Sequence, residues 1–238
     1  MPRTVEAIVE RQARQWQLSR EERRGAPHRP TLALSRLHGS GGAELAALLA
    51  RELKLDVFDH EIVHQIAESM KLSEHVIESL DNRARTALEE WLDGFASHHS
   101  LSSAEYRYQL ARVVGAVAQH GGAIILGRGA HLVLGAGQAL RVLVVAALDA
   151  RIARIAKRSA LSEAEARREI ESVDADRRAF LLKHFHADFD DPTRFDLVVN
   201  TSLIGIEGAC AAIRAATSAL PRLEAASGRA IDSGRTGV

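Results

Sequence analysis

The sequence predicts an α/β protein built on a parallel sheet. Three observations carry that prediction. Apolar runs of strand length at 31–35, 123–127, 141–147 and 195–200 show no polar alternation, as in strands covered on both faces. Helical stretches separate them, and strands alternating with helices make a parallel sheet. The first run passes through Gly39, Gly41 and Gly42 into an apolar-periodic helix, the strand–turn–helix form of an anion cradle. Ligands of such sheets bind outside the carboxyl ends of the strands.

Composition narrows the class. A chain of 238 residues suits one α/β domain with a small appendage. A hydrophobic fraction of 46% allows a full core, and 4% aromatics makes that core aliphatic. Lys+Arg and Asp+Glu balance at 31 each, which argues against a dedicated nucleic-acid binder but not against a local basic pocket. The single cysteine, Cys210, allows no intramolecular disulfide and sits in an Ala-rich helical stretch, where a buried inert thiol is expected. No apolar run approaches a membrane span. Arg3, Glu6 and Glu10 interrupt the first apolar residues, unlike a signal peptide, so the expected location is cytoplasmic.

In chain order, residues 1–28 read as an amphipathic helix and linker. Val5, Ile8, Val9 and Trp16 share a helical face, Arg20 to Arg24 is a charge run, and Pro27 and Pro30 end the helix. This segment is expected to pack on the body, to bind a protein partner or to mediate self-association; its polar face mixes both charge signs, against a membrane role. Residues 29–220 form the main domain. Its first strand covers 31–35. A helix over 41–53 then buries Leu45, Leu48, Leu49 and Leu53, and a short strand over 55–58 ends at Asp59. Helices follow with Ile62, Val63, Ile66 and Met70 inward, then over 73–90 with Ser73 as a weak cap; 98–103 reads as a polar loop. The next helix, 104–120, turns Leu110, Val113, Val114 and Val117 inward and stops at Gly121-Gly122. A helix from 161 to 185 opens on Ser162 with Glu165 three residues on, a capping box. The polar stretch 184–191 could set His184, His186, Asp188 and Asp190 on one face for a metal, but reads equally as a loop over a site. A last helix covers 206–220, and residues 221–238 are expected to be a disordered tail.

The glycine turn departs from the usual phosphate-loop pattern, G-x-x-x-x-G-K-[ST]. With Gly41 as the second glycine, Gly42 stands where the lysine would be, Ala43 where the hydroxyl would be, and Arg36 where the first glycine would be. A plain βα turn without a ligand is the alternative. The other strand ends bring Asp59, then Gly127-Arg128-Gly129, then Asp149 and Arg151, then Asn200-Thr201-Ser202. Arg151, Arg154 and Arg158 share a helical face, either as a solvated stripe or as a comb over phosphates. One cradle ringed by arginines resembles a phosphate-transfer site more than a hydride-transfer site.

With these residues laid out, the chain resembles the cytidylate kinase-like family of P-loop nucleoside monophosphate kinases. The matching pieces are Ser35-Arg36-x-x-Gly39-Ser40-Gly41-Gly42, Phe58-Asp59-x-Glu61-Ile62 and Gly127-Arg128-Gly129-Ala130, then Leu161 to Ala166, Val173-Asp174-x-Asp176-Arg177, Asp190-Asp191-Pro192 and Phe195 to Thr201. They follow the family's order over about residues 31–214. The resemblance implies a three-layer α/β/α P-loop kinase fold with a five-stranded parallel sheet and a helical lid after the fourth strand. It implies ATP-dependent phosphoryl transfer to a CMP- or dCMP-like monophosphate, with Mg2+ held mainly by the nucleotide phosphates, aided by Ser40 or Asp59. Gly39, Ser40, Gly41, Gly42 and Ala43 would bind the donor, and Asp59 and Arg128 the acceptor. Arg36 would stand in for the lysine, and Arg154, Arg158, Arg177 and Arg178 would close over the transferred group. The acid that follows the arginine in true cytidylate kinases is Gly129 here, and Phe180 and Leu181 stand where tyrosines are common. Two alternatives stay open: a nucleotide-binding regulatory module without turnover, and a kinase of a non-nucleotide metabolite.

Overall fold

The computed structural model describes Glu10, Trp16 and residues 29–80, 82–97, 104–135, 137–189 and 191–219. Strand β1 (Thr31–Arg36) runs into helix α1 (Gly42–Leu53) and then β2 (Asp56–Phe58). Four helices follow: α2 (His60–Glu68), α3 (Met70–Glu78), α4 (Asn82–Ser97) and α5 (Ala104–His120). Strand β3 (Ala123–Leu126) leads through the one-turn helix α6 (Ala130–Val133) to β4 (Leu140–Val145). Helices α7 (Leu148–Ser159) and α8 (Glu163–Phe185), strand β5 (Leu197–Asn200) and helix α9 (Thr201–Ala219) complete the chain.

All five strands pair in parallel, in the order β2-β3-β1-β4-β5. β1 is therefore central, and the turns after β1, β3 and β4 lie side by side. Alternation within β1 builds the layers. Leu32 and Leu34 pack with Leu45 and Leu49 of α1 and Ala209 and Ile213 of α9. Ala33 packs on the opposite side, with Ile125, Val63, Ile66 and the inward residues of α5. The expected three-layer α/β/α architecture with a five-stranded parallel sheet is present. Helices α7 and α8 share a small core of their own, Ile152, Ile155, Ala166 and Ile170, as the expected helical lid does.

The local signals explain most boundaries. Ser162 accepts from Glu165 N while the Glu165 carboxylate accepts back from Ser162 N, so the capping box forms. Gly121, at φ 67°, donates to Val117 O and Ala118 O and ends α5. Gly205, at φ 70°, breaks α9, so its regular part begins at Ile206 as expected. One boundary is a correction. The cap after α2 is Ser69, whose Oγ accepts from Leu72 N, and Ser73 is buried inside α3. The helix expected over 73–90 is two helices, with the break before Asn82. Both serines precede apolar residues at similar spacing, and only the packed apolar face selects between them.

Of the N-terminal appendage expected over 1–28, Glu10 and Trp16 are described; both are helical. Trp16 is 5% exposed and belongs to the core, stacked at 3.9 Å on the His120 ring and 5.8 Å from Phe58. The rest of that segment, the polar loop at 98–103 and the tail at 221–238 lie outside the described residues. Among the described residues no helix is long and apolar enough to cross a membrane.

Candidate active site

The turn between β1 and α1 is built from outward-held carbonyls. Arg151 Nη1 donates to His38 O at 3.2 Å, Arg154 Nη1 to Gly39 O at 2.6 Å, and Thr201 Oγ1 to Ser40 O at 2.6 Å. Across a trans peptide the C=O and the following N–H point to opposite sides. Anchoring three successive carbonyls therefore turns the N–H groups of Gly39, Ser40 and Gly41 the other way. Ser40 N bonds to Leu37 O within the turn. Gly39 and Gly41 take φ 78° and 81°, in the left-handed region that favours glycine. Gly41 is the N-cap of α1, and the N–H groups of Gly42 and Ala43 open that helix without intrahelical acceptors. The result is a candidate anion cradle at a helix N-terminus, with the Ser40 N–H taken up inside the turn.

The lid clasps this turn. His38 N donates to Asp174 Oδ1 at 2.8 Å, and His38 Nε2 donates to Glu169 Oε1 at 2.7 Å. Arg151 pairs with Asp174 at 2.6 Å, and Arg177 Nη1 donates to Arg36 O at 3.0 Å. Asp174 is buried with Ala166, Ile170, Leu181 and Phe185 along α8. An acid on an otherwise apolar stripe is the sequence signal for its role, although the linear motif does not place it in the site.

Beside the cradle, at the carboxyl ends of β1 and β3, lies a pocket of about 270 Å³. Arg36, Arg128 and Arg177 line one part of it, with Asp176 and His60. Val173, Phe180, Leu181 and Phe189 supply an apolar wall, and Ser35 and His131 line it too. Arg128 adopts φ 52° between Gly127 at 87° and Gly129 at 68°. A left-handed arginine costs on the order of 1 kcal/mol and persists only where its surroundings enforce it. Its Nε donates to His60 O at 3.0 Å, and its guanidinium lies 5.0 Å from the Phe180 ring centre. A Cβ on Gly129 would stand 2.5 Å from Phe185 Cε2, so the lid aromatic fills the space an acid would need there.

Three cations crowd the pocket. Burial pushes the Arg36 guanidinium down to about 10, helped by Arg177 and Arg128 and opposed by Asp59. Burial also lowers Arg177, against Asp174. His60 is lowered by burial and then by Arg36 and Arg128. His131 Nδ1 and Ser35 Oγ share a 2.9 Å hydrogen bond, the ring stacks at 4.5 Å on Phe195, and Nε2 has no partner among the described residues. Burial, then Arg194 and Arg141, drives His131 down to about 3, so it is a neutral imidazole at physiological pH.

The remaining sequence-predicted residues divide. Asp59 accepts from Glu61 N and Ile62 N and so caps α2 beside the pocket. Arg154 holds the turn from outside. Arg158 is half exposed, 3.9 Å from Glu169 on the lid. Arg178 is exposed and does not line the pocket. The helix expected to end at 185 does so, with His184 and Phe185 in its last turn, and Asp190 lies outside the described residues. Among the described residues no group of three or more His, Cys, Asp or Glu could hold a metal ion. Ser40 Oγ is buried and donates to Leu37 O. The donor set thus fits a triphosphate held by N–H groups and arginines, with Mg2+ carried chiefly by phosphate oxygens and water.

The fold is similar to that of a solved structure. The crystal structure of an uncharacterized protein from Eubacterium ventriosum matches with a TM-score of 0.64 at 16% identity, over 80% of this chain and 99% of that one. Shikimate kinase from Bacteroides thetaiotaomicron gives a TM-score of 0.42 at 14% identity, over 79% of this chain and 98% of that one. Shikimate kinase from Acinetobacter baumannii, in complex with shikimate, gives 0.43 at 11%, over 80% and 94%. A search of curated protein sequences finds no match. The sequence profile of the Cytidylate kinase-like family matches residues 31–203, most of the chain and every strand of the sheet, including the cradle, Arg128 and the lid. The chain belongs to the cytidylate kinase-like family.

Proposed function

We propose that this protein transfers the terminal phosphoryl group of ATP to a small acceptor that itself carries a phosphate, with a CMP- or dCMP-like monophosphate as the first candidate. The observation that carries this reading is the convergence of Arg36, Arg128 and Arg177 on one pocket beside the glycine cradle. Asp176 in the lining, Asp59 towards Arg36 and Asp174 at 3.6 Å from Arg177 offset part of that charge, and a phosphate would be held by the remainder of the guanidinium N–H groups. The cradle, from Gly39 to Ala43, holds the donor phosphates through the backbone N–H groups that the turn itself does not use, Ser40 N being bonded to Leu37 O. Arg128 holds the acceptor phosphate, and Arg177 spans cradle and pocket from the lid. ATP with Mg2+ supplies the phosphoryl group and screens its charge. No general base is needed, because a phosphate acceptor is already ionised, and positioning with positive charge supplies most of the acceleration. Residues 29–220 carry this activity, and residues 1–28 serve for docking or self-association, anchored by Trp16.

The test is ADP release from ATP and magnesium with CMP, dCMP, UMP, AMP and GMP in turn, alongside titration of ATP binding. Acceptor-dependent ADP establishes the transfer and names the acceptor. Saturable ATP binding without product, for every acceptor, replaces this reading with a regulatory module; Gly42 and Ala43, in place of lysine and hydroxyl, are the observation that favours it. Gly129, covered by Phe185, stands where true cytidylate kinases carry an acid, and this favours a non-nucleotide phosphorylated metabolite if all five nucleotides fail. Arg128→Ala is expected to raise the acceptor KM about tenfold, the worth of one charge-assisted contact, with ATP binding unchanged. An unaltered acceptor KM would remove Arg128 from the site.

A further inference from the structure

Arg36 and Gly42 depart from the phosphate-loop pattern in complementary ways. The pattern places its first glycine where Arg36 stands and its lysine where Gly42 stands. The two departures meet in space. A Cβ on Gly42 would lie 2.7 Å from Arg36 Cβ and 2.9 Å from Arg36 Cγ. Those atoms are the root of the side chain and cannot swing away as a flexible tip could. Gly42 is the first residue of α1, and it is absent from the positive-φ glycines. Its backbone therefore does not call for glycine, and glycine is a poor helix former. The path of Arg36 explains it. At the far end of the same side chain, a Cβ on Gly127 would lie 2.5 Å from Arg36 Nη1. Two glycines thus form the channel through which Arg36 is threaded.

We propose that Arg36 is the relocated phosphate-loop cation, moved from the residue after the glycine turn to the residue before it, with Gly42 and Gly127 as the glycines that admit it. The inference rests on the reading that the turn holds donor phosphates. It adds a direction. The guanidinium ends beside Gly127, close to His60, Asp59, Arg128 and Arg177, on the acceptor side of the cradle. Burial and the two neighbouring arginines lower its pKa, so an arriving anion relieves a crowded cation. Arg36 then serves the group in transfer between donor and acceptor more than the donor's resting affinity.

The experiment is a cycle of four proteins: the parent, Gly42→Lys, Arg36→Gly and the double exchange R36G/G42K. The double exchange restores the usual glycine and lysine at their usual places. Each is measured by thermal unfolding, by titration with pyrophosphate and with magnesium-ATP, and by ADP release. Gly42→Lys is expected to lower the unfolding temperature when Arg36 is present and to be tolerated when it is combined with Arg36→Gly. Arg36→Gly is expected to lower turnover at least a hundredfold with ATP affinity changed less than fivefold, and the double exchange to recover at least tenfold. An equal cost of Gly42→Lys in both backgrounds would overturn the steric exchange. Turnover within threefold of the parent for Arg36→Gly would overturn the role of its charge. If the parent forms no ADP with any acceptor, the kinase reading fails by itself. The unfolding cycle then still decides the exchange: a cost of Gly42→Lys that disappears in the Arg36→Gly background upholds it, and an equal cost in both backgrounds overturns it.

Discussion

Asp174→Ala is expected to lower the unfolding free energy by about 3–5 kcal/mol, the usual cost of stranding one member of a buried ion pair. The Asp174 and Arg151 side chains are only 6% and 11% exposed, so water compensates little for the loss. Three partners lose their acceptor together. Arg151 loses its 2.6 Å contact, Arg177 its 3.6 Å neighbour, and His38 N–H its only acceptor among the described residues. For a chain of this size the loss corresponds to a fall of roughly 6–20 °C in the unfolding midpoint. Denaturant unfolding of Asp174→Ala and Asp174→Asn checks it, with the asparagine variant expected between the alanine variant and the parent because it keeps one acceptor for His38 N. A loss below about 1 kcal/mol for alanine would mean that the pair is screened by solvent, as exposed pairs are, and that α7 holds the turn without α8.

The second large effect is a pH dependence. His131 is driven down to about 3 in the folded protein, against about 6.5 for a free histidine. Between those values the unfolded chain binds the proton and the folded chain does not, so stability falls as pH drops below about 6.5. Stability from this one group is fully present above that value. From pH 7.5 to pH 4.5 its loss amounts to about 2.5 kcal/mol. Asp191, Asp196 and Glu165, held low by hydrogen bonds, change in the same direction over the acid range. His60 and His184, lowered by burial, do so as well. The parent alone therefore cannot isolate His131. The measurement is the stability gap between the parent and His131→Asn at several pH values. The parent is expected to be the more stable at pH 7.5, with the gap narrowing by about 2.5 kcal/mol by pH 4.5. A constant gap would show that His131 titrates normally and that its burial against Phe195 and Ser35 is looser than the geometry indicates.

Both predictions concern residues whose partners the linear sequence concealed, and the reason is the same. Asp174 stands 136 positions from His38, and His131 stands 96 positions from Ser35. Nothing local marks either pairing. By contrast, the capping box at Ser162 and Glu165 and the glycine stop after His120 act within one turn of chain, and both form as read. Where two local signals compete the reading slips: Ser69 and Ser73 both resemble caps, and the packing of α2 and α3 decides between them.

The sequence by itself determined the parallel sheet, the glycine cradle after β1, the arginine-bearing lid and membership of the family, because hydrophobic period, turn chemistry and ordered motifs are properties of neighbours along the chain. It also carried the puzzle of the missing lysine. Only the tertiary structure decided where Arg36 goes, since a strand residue's direction alone does not say what its long side chain will pass. The end of the Arg36 path beside Gly127, the Phe185 ring over Gly129 and the Asp174 carboxylate on the turn all arise from steric exclusion and charge pairing between segments far apart in the chain. Those contacts join separate elements, and no local pattern encodes them.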